Sequence, residues 1–272
     1  MILNRDYTLD VFKHMMGDGS DKNSLTTVLM HRCTVLSLIH ITQVALAMRH
    51  ALGKGATIGS ELVSVLEQLF LEQELQVREE SLRLLSAALL KGPAILETRL
   101  SELILQRVLD SMSFKQVVEV DLGPFKQKND LGAPLRRLAL DCADALIAVM
   151  PDSAGSLLDM LPPLLKDEDG IKLHAYKLLG RLCKVRPMAV VSRVDIIIEP
   201  LSKTLFAKPS DNKKGPELER ALEVVKSAVR VAVAVDNVVA ASGSGRWAEL
   251  MEGIKKSPTL SDFHKAVLAE AE

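Results

Sequence analysis

Aromatic side chains are scarce in this 272-residue chain: one Trp, two Tyr and six Phe, 3% of the total. Surfaces on which nucleic-acid bases stack need such rings, and phosphate-binding surfaces need a basic excess. That excess is missing too, because 34 Lys and Arg face 35 Asp and Glu, for a formal charge of −1. Nucleic acid is therefore excluded as the main partner. Cysteine is equally sparse. Cys33, Cys142 and Cys183 are odd in number, widely spaced and without a CxxC pair. This argues against a disulfide framework and for a reduced compartment, cytoplasmic or nuclear. Arg5 and Asp6 stand where a signal peptide would need an apolar run. The most apolar stretch, residues 227–241, contains Arg230 and Asp236 and falls short of the ~20 residues that span a bilayer. No membrane partner is expected.

What the chain has is aliphatic residues at helical spacing. Hydrophobic residues make up 48% and charged residues 25%, ordinary values for a folded protein. Over residues 61–71, Leu62, Val63, Val65, Leu66, Leu69 and Phe70 follow the i, i+3, i+4 pattern of one helix face. A polar break at 72–76 leads to a second helix over 77–90, stopped by Gly92-Pro93. A short helix over 160–165, an acidic turn at 166–170 and a helix over 171–185 repeat the unit. Each second helix opens with an aliphatic residue followed by a base: Val77-Arg78, Leu135-Arg136, Ile171-Lys172 and Val225-Lys226. The bases are 58, 36 and 54 residues apart. HEAT and armadillo repeats run about 40–47 residues, so 36 fits one plain repeat and the longer spacings one repeat plus an insertion. Met30-His31-Arg32 marks an earlier, degraded copy, with a helix over 30–48. The expected fold is all-α: a right-handed HEAT- or armadillo-like solenoid of about four to five repeats.

Both insertions can be placed. Residues 208–216 (KPSDNKKGP) read as a solvated, poorly ordered loop. Residues 113–132 differ in kind. Val118, Val120 and Leu122 alternate with Glu119 and Asp121, Gly123-Pro124 turns the chain, and Phe125 and Lys126 continue it. That is a β-hairpin signal within a helical chain, and a lone projecting hairpin suits contact with a partner. The expected organisation is thus divergent N-terminal helices at 1–60, repeats over 61–245 and a helical tail at 246–272.

Chemistry-bearing patterns are weak by comparison. The glycine-rich segment 53–59 follows a helix rather than a strand and lacks the Lys-Ser/Thr ending of a phosphate loop. His31 and Cys33 point to different helix faces, and His40 is more than two turns on. His174 lies on an apolar helix. Asp167-Glu168-Asp169-Gly170 lacks the ligand offsets of a calcium loop and reads as a helix N-cap. No Ser, His and acid cluster has catalytic spacing, and the cysteines read as buried. No catalytic residue, metal ligand or cofactor is expected, and the chain reads as a non-enzyme.

The motifs together resemble one family. Val120-Asp121-Leu122-Gly123-Pro124-Phe125-Lys126, then Asp130-Leu131-Gly132 and Leu135-Arg136-Arg137-Leu138-Ala139, resemble the C-terminal region of the cullin-associated, neddylation-dissociated proteins. These are HEAT-repeat proteins of the TATA-binding-protein-interacting type. In that family a projecting hairpin with a Met/Leu-Gly-Pro-Phe-Lys core precedes a helix that opens Ile/Leu-Arg-Lys/Arg. Leu75-Gln76-Val77-Arg78, Asp169-Gly170-Ile171-Lys172 and Ile198-Glu199-Pro200-Leu201 resemble further family segments in the same order. The resemblance covers roughly residues 60–235.

It implies a binding protein whose C-terminal repeats occupy the adaptor-binding end of an unmodified cullin and compete with the substrate adaptor. Carried over by motif, the contact residues are Val118, Val120, Leu122, Gly123, Pro124, Phe125 and Lys126. The alternative for Val118, Val120 and Leu122 is packing on a neighbouring repeat. Family members are far longer, so this chain is expected to be their C-terminal end, a fragment or one half of a split exchange factor with an N-terminal partner. The rival reading is a generic HEAT scaffold, a transport or phosphatase-regulatory adaptor without a cullin link. Phe125 beside a Gly-Pro turn in a polar neighbourhood is the expected anchor. Phe125→Ala should weaken cullin binding by ~1–2 kcal/mol in a titration and leave thermal stability nearly unchanged.

Overall fold

The structure, a computed structural model, describes residues 38–55, 60–91, 101–121, 126–207, 215–240 and 244–271. Several sequence expectations lie outside those residues: His31, Cys33 and the first part of the 30–48 helix, part of the 53–59 segment, the Gly92-Pro93 stop, the Gly123-Pro124 turn with Leu122 and Phe125, and most of the 208–216 loop. The described residues form α-helices and a single two-stranded sheet. The chain divides into two compact units, residues 1–100 and 101–272.

The first unit contains α1 (Leu38–Gly53), α2 (Ser60–Leu71) and α3 (Leu75–Lys91), with α1 and α2 both packed on α3. The expected periodicity does the packing. Leu62, Val65, Leu66 and Leu69 of α2 and Val77, Leu82, Leu85 and Leu89 of α3 are buried. Glu72, Gln73 and Glu74, exposed or half-exposed, separate the pair.

The second unit opens with α4 (Ser101–Ser113), then β1 (Val117–Asp121) and β2 (Lys126–Asp130). There follow α5 (Ala133–Val149), α6 (Ala154–Leu164), α7 (Asp169–Val185), the short α8 (Pro187–Val191), α9 (Val194–Leu205), α10 (Pro216–Val239), α11 (Gly245–Lys256) and α12 (Pro258–Ala271). Helix pairs stack in order: α4 with α5, α6 with α7, α9 with α10, and α11 with α12. The first members make one layer, α4 on α6 on α9 on α11, and the second members another, α5 on α7 on α10 on α12. This is the HEAT- and armadillo-like arrangement that the spacings imply, with the hairpin inserted inside the first pair of this unit.

The core lies between the layers. Ile104, Val108 and Met112 of α4 and Leu135, Ala139 and Leu146 of α5 are buried, as are Ile197 and Leu201 of α9 and Val224, Val231 and Val235 of α10. Each such side chain contributes about 1.5–3 kcal/mol when fully buried. At the surface, neighbouring pairs are bridged by polar side chains a nearly constant distance apart in sequence. His174 Nδ1 meets Asp141 Oδ1 at 2.9 Å, 33 residues away, and Lys166 Nζ meets Glu199 Oε2 at 2.9 Å, also 33 away. Arg193 Nε meets Asp159 Oδ1 at 2.7 Å across 34 residues. The repeat of the structure is therefore close to the undisturbed spacing of 36 read from the sequence. Exposed pairs of this kind are worth at most about 1 kcal/mol, so they mark register more than they stabilise.

Two helices begin earlier than the apolar pattern suggests. α6 starts at Ala154 rather than Met160, because Gly155, Ser156 and Asp159 turn outward while Leu157 and Leu158 are buried. α10 starts at Pro216 rather than Val225, behind Gly215 at φ +57°, a conformation that suits glycine. Proline is well placed in a first turn, where its missing N–H has no intrahelical acceptor to lose. None of the described helices is long and apolar enough to cross a membrane.

The last pair is held by the chain's single Trp. Trp247 of α11 is 2% exposed and donates from Nε1 to Asp236 Oδ1 of α10 at 3.0 Å. Trp247→Ala should destabilise the second unit by ~3–5 kcal/mol, read as a lower urea midpoint by far-UV circular dichroism.

Candidate partner-binding hairpin

The two strands owe their structure to different causes. β1, Val-Val-Glu-Val-Asp, is rich in β-branched residues and has intrinsic strand preference. β2, Lys-Gln-Lys-Asn-Asp, is built from residues depleted in strands. Its extended form must come from pairing. The antiparallel register sets Val117 opposite Asp130, Val118 opposite Asn129, Glu119 opposite Lys128, Val120 opposite Gln127 and Asp121 opposite Lys126. Glu119 and Lys128 share a face, with Lys128 Nζ 3.7 Å from Glu119 Oε1.

The sequence-predicted contact residues fall into two groups. Val118 is half-buried in β1, Lys126 is exposed at the start of β2, and Val120 pairs with Gln127. Leu122, Gly123, Pro124 and Phe125 join the strands and lie outside the described residues. Val117 was not among the candidates, yet it is 55% exposed.

A two-stranded hairpin is marginal in water without further support. The support sits at its root. Leu131 N donates to Gln116 O at 2.8 Å, continuing the pairing past β2. Asp130 Oδ1 accepts from Gln116 N at 3.2 Å and from Gly132 N at 2.9 Å. Its other oxygen accepts from Arg136 Nη2 at 2.7 Å. Arg136, in the first turn of α5 and only 1% exposed, also donates from Nη1 to Phe114 O at 2.8 Å. The same Nη2 reaches Asp167 Oδ1 at 3.1 Å, in the turn that opens α7. Lys115 Nζ closes the ring at 3.2 Å from Asp167 Oδ2. Gly132 is needed for this closure: a Cβ there would sit 2.9 Å from Phe114 O and 3.1 Å from Gln116 N.

One guanidinium thus ties together both ends of the hairpin and the next helix pair. Burial pushes the Asp130 carboxyl up. The bonds from Arg136, Gln116 and Gly132, with the Arg136 charge, outweigh that and hold it below its ordinary value of 3.8. Arg136 Nε is buried without a hydrogen-bond partner. That desolvation offsets part of the gain, so the cluster specifies geometry more than it adds stability.

The acidic turn therefore has a different role from the N-cap expected of it. Glu168 occupies the N-cap of α7 and makes no side-chain cap bond. Asp167 Oδ1 accepts from Glu168 N at 2.8 Å and spends its remaining capacity on Arg136. The sequence carried a faint signal for this, since Asp167 follows Arg136 by 31 residues, nearly one repeat.

Elsewhere the second unit offers little reactive chemistry. Cys142 and Cys183 are buried, and burial pushes the Cys183 thiol up to about 12, the opposite of an activated nucleophile. His174 is engaged by Asp141. Among the described residues no three His, Cys, Asp or Glu side chains gather where they could hold a metal ion.

Residues 95–263, more than half of the chain and including the whole hairpin, match the family described as TATA-binding protein interacting (TIP20). The chain belongs to that family. Proteins similar to it in sequence carry more specific names. Cullin-associated NEDD8-dissociated protein 2 of Mus musculus is 29% identical over 209 residues, 74% of this chain and 16% of the mouse protein. A protein of Emericella nidulans named Cullin-associated NEDD8-dissociated protein 1, C-terminal part, is 24% identical over 202 residues, 71% of this chain and 19% of that one. This chain spans about a sixth of the length of such relatives. An engineered protein of known crystal structure superposes with a TM-score of 0.57 over 89% of this chain and 56% of its own, at 16% identity, a likeness of fold alone.

Arg136→Met keeps the side chain's bulk and removes the charge. It should destabilise the second unit by ~3–5 kcal/mol, because it leaves Asp130 without a cation and Asp167 with Lys115 alone. In the parent, the Asp130 contribution is present above pH 3.8 and is lost as pH falls through the lower folded value. Urea melts from pH 7 to pH 3 should show that share of acid sensitivity in the parent and less of it in Arg136→Met, where the bonds from Gln116 and Gly132 remain.

Proposed function

We propose that this chain is a non-catalytic cullin-binding module, working in the cytoplasm or nucleus, whose hairpin enters the adaptor-binding end of an unmodified cullin and competes there with the substrate adaptor. The observation that carries the reading is the hairpin. It is a rigidly rooted two-stranded element with exposed strands, inside the part of the chain that matches the TATA-binding protein interacting family. The names of two relatives, both cullin-associated, supply the class of partner. That one is named a C-terminal part supports the further reading that this chain works with an N-terminal half, as one piece of a split exchange factor.

The charges of the second helix layer favour the hairpin over a helix surface as the recognition element. Asp141 and Asp144 of α5 are matched by His174, Lys177 and Arg181 of α7, and Arg230 of α10 by Glu270 of α12. Groups committed to neighbouring repeats have less to offer a partner. A transport or phosphatase-regulatory scaffold would depend on that helix surface, and its partner would be indifferent to the hairpin.

The discriminating experiment leaves the root intact. Residues 118–129 are replaced by Asn-Gly, a two-residue turn that suits the directly opposed Val117 and Asp130. Lys115, Asp130 and Arg136 stay in place, so the melting temperature should move by only a few degrees, roughly what 1 kcal/mol produces. Cullin binding by calorimetry should vanish, and adaptor should no longer be displaced. Retained cullin binding would overturn the reading.

A further inference from the structure

We propose that Asp167 is a positioning residue for the hairpin: the direction in which the hairpin projects is set by the next helix pair, through Asp167 and Arg136, rather than by the loops from which it grows. The binding part of this proposal rests on the reading of the hairpin as the partner-contacting element. The positional part stands on geometry alone.

The two roots of the hairpin are segments 114–116 and 130–132. Arg136 Nη1 holds the first at Phe114 O, at 2.8 Å, and Arg136 Nη2 holds the second at Asp130 Oδ2, at 2.7 Å. Both bonds come from α5, the helix that directly follows the hairpin. By themselves they would fix the hairpin only as well as the guanidinium is fixed. A guanidinium at the end of a long side chain has several rotatable bonds, and it needs a further partner to hold its plane. Asp167 supplies one from the following helix pair, at 3.1 Å from Nη2. Asp167 is itself pinned, being 8% exposed with Oδ1 taking the Glu168 N–H at 2.8 Å. Its second oxygen reaches back to the first root at Lys115 Nζ, 3.2 Å away. The next pair therefore touches the hairpin twice, once through Arg136 and once through Lys115.

Charge makes the arrangement interdependent. Asp130 and Asp167 converge on one guanidinium, and Lys115 provides the second positive charge. With Asp167 removed, Lys115 loses its carboxylate and Arg136 keeps only the hairpin, so the two can swing together. Movement of α7 against α5 is then no longer transmitted. With Asp167 present, hairpin and α7 turn open and close as one unit.

Hydrogen exchange of the backbone amides tests this on the whole chain. In Asp167→Ala the amides of Val117–Asp121 and Lys126–Asp130 should exchange at least ~10-fold faster at pH 7, while those of α10 and α11 keep their rates. Asp167→Asn retains an oxygen for Arg136 without the charge, and should fall between parent and Ala. Unchanged hairpin exchange in Asp167→Ala, or an equal rise through α10 and α11, would overturn the proposal, the second because it marks general loss of structure. Cullin titration forms a separate arm. If the parent binds, Asp167→Ala should weaken affinity by roughly tenfold, and undiminished affinity would overturn the positioning role. A parent that binds no cullin would instead overturn the functional reading, and the exchange result still decides the role of Asp167.

Discussion

The bond set of one buried arginine governs the distinctive part of this molecule. Arg136 lies in the first turn of a helix whose other inward residues are aliphatic, and its head collects a carbonyl and two carboxylates from three segments. A charge in that position is tolerated only when its hydrogen-bonding capacity is nearly filled. The chain fills most of it with the two ends of an insertion and the turn of the next repeat, and leaves Nε unpaired. Without those partners the guanidinium would have to leave the interior, and the layer of α5 on α7 would open with it. Without the guanidinium, β2 would be five polar residues with little reason to be extended.

The insertion is thus integrated with the array although it interrupts it. Repeat proteins gain stability from contacts between successive units, and an inserted segment ordinarily hangs from one unit. Here the root of the hairpin reaches two helix pairs. Gly132 permits the approach by leaving room for the carbonyl of Phe114 where any side chain would collide. The strands beyond that root are largely exposed, so a firmly held base carries a solvent-facing projection. That combination suits recognition, because little conformational freedom remains to be lost when a partner binds.

Part of the remaining surface of the second unit is occupied with internal matching. Acids on one helix face bases on the next, from Asp141 and Asp144 through His174, Lys177 and Arg181 to Arg230 and Glu270. A chain poor in aromatic residues and without a charge excess has few general means of attracting partners, which places more weight on the projecting hairpin.

Much of the architecture follows from local pattern. Apolar residues at 3.6-residue spacing specify α2, α3 and α7 nearly to their ends, since a helix face that must be buried is written in the residues that bury it. The Val-Glu-Val-Asp alternation likewise announced β1, and its valines, with the Gly-Pro turn, identified the hairpin. The starts of α6 and α10 were hidden, because Gly155 and Ser156 in the one and Pro216, Glu217 and Glu219 in the other interrupt the apolar pattern of the first turn. The role of Asp167 was hidden for a deeper reason. Its meaning depends on Arg136 and Lys115, which are 31 and 52 positions away and meet it only once two helix pairs have stacked. In sequence an acidic residue before a helix looks like a cap, and only the stacked repeats show that its carboxylate faces a guanidinium. By itself the sequence determined the helices, their repeat and the presence of the hairpin. Tertiary structure alone decided what holds the hairpin, because which distant acid meets which base is fixed only when the helix pairs stack.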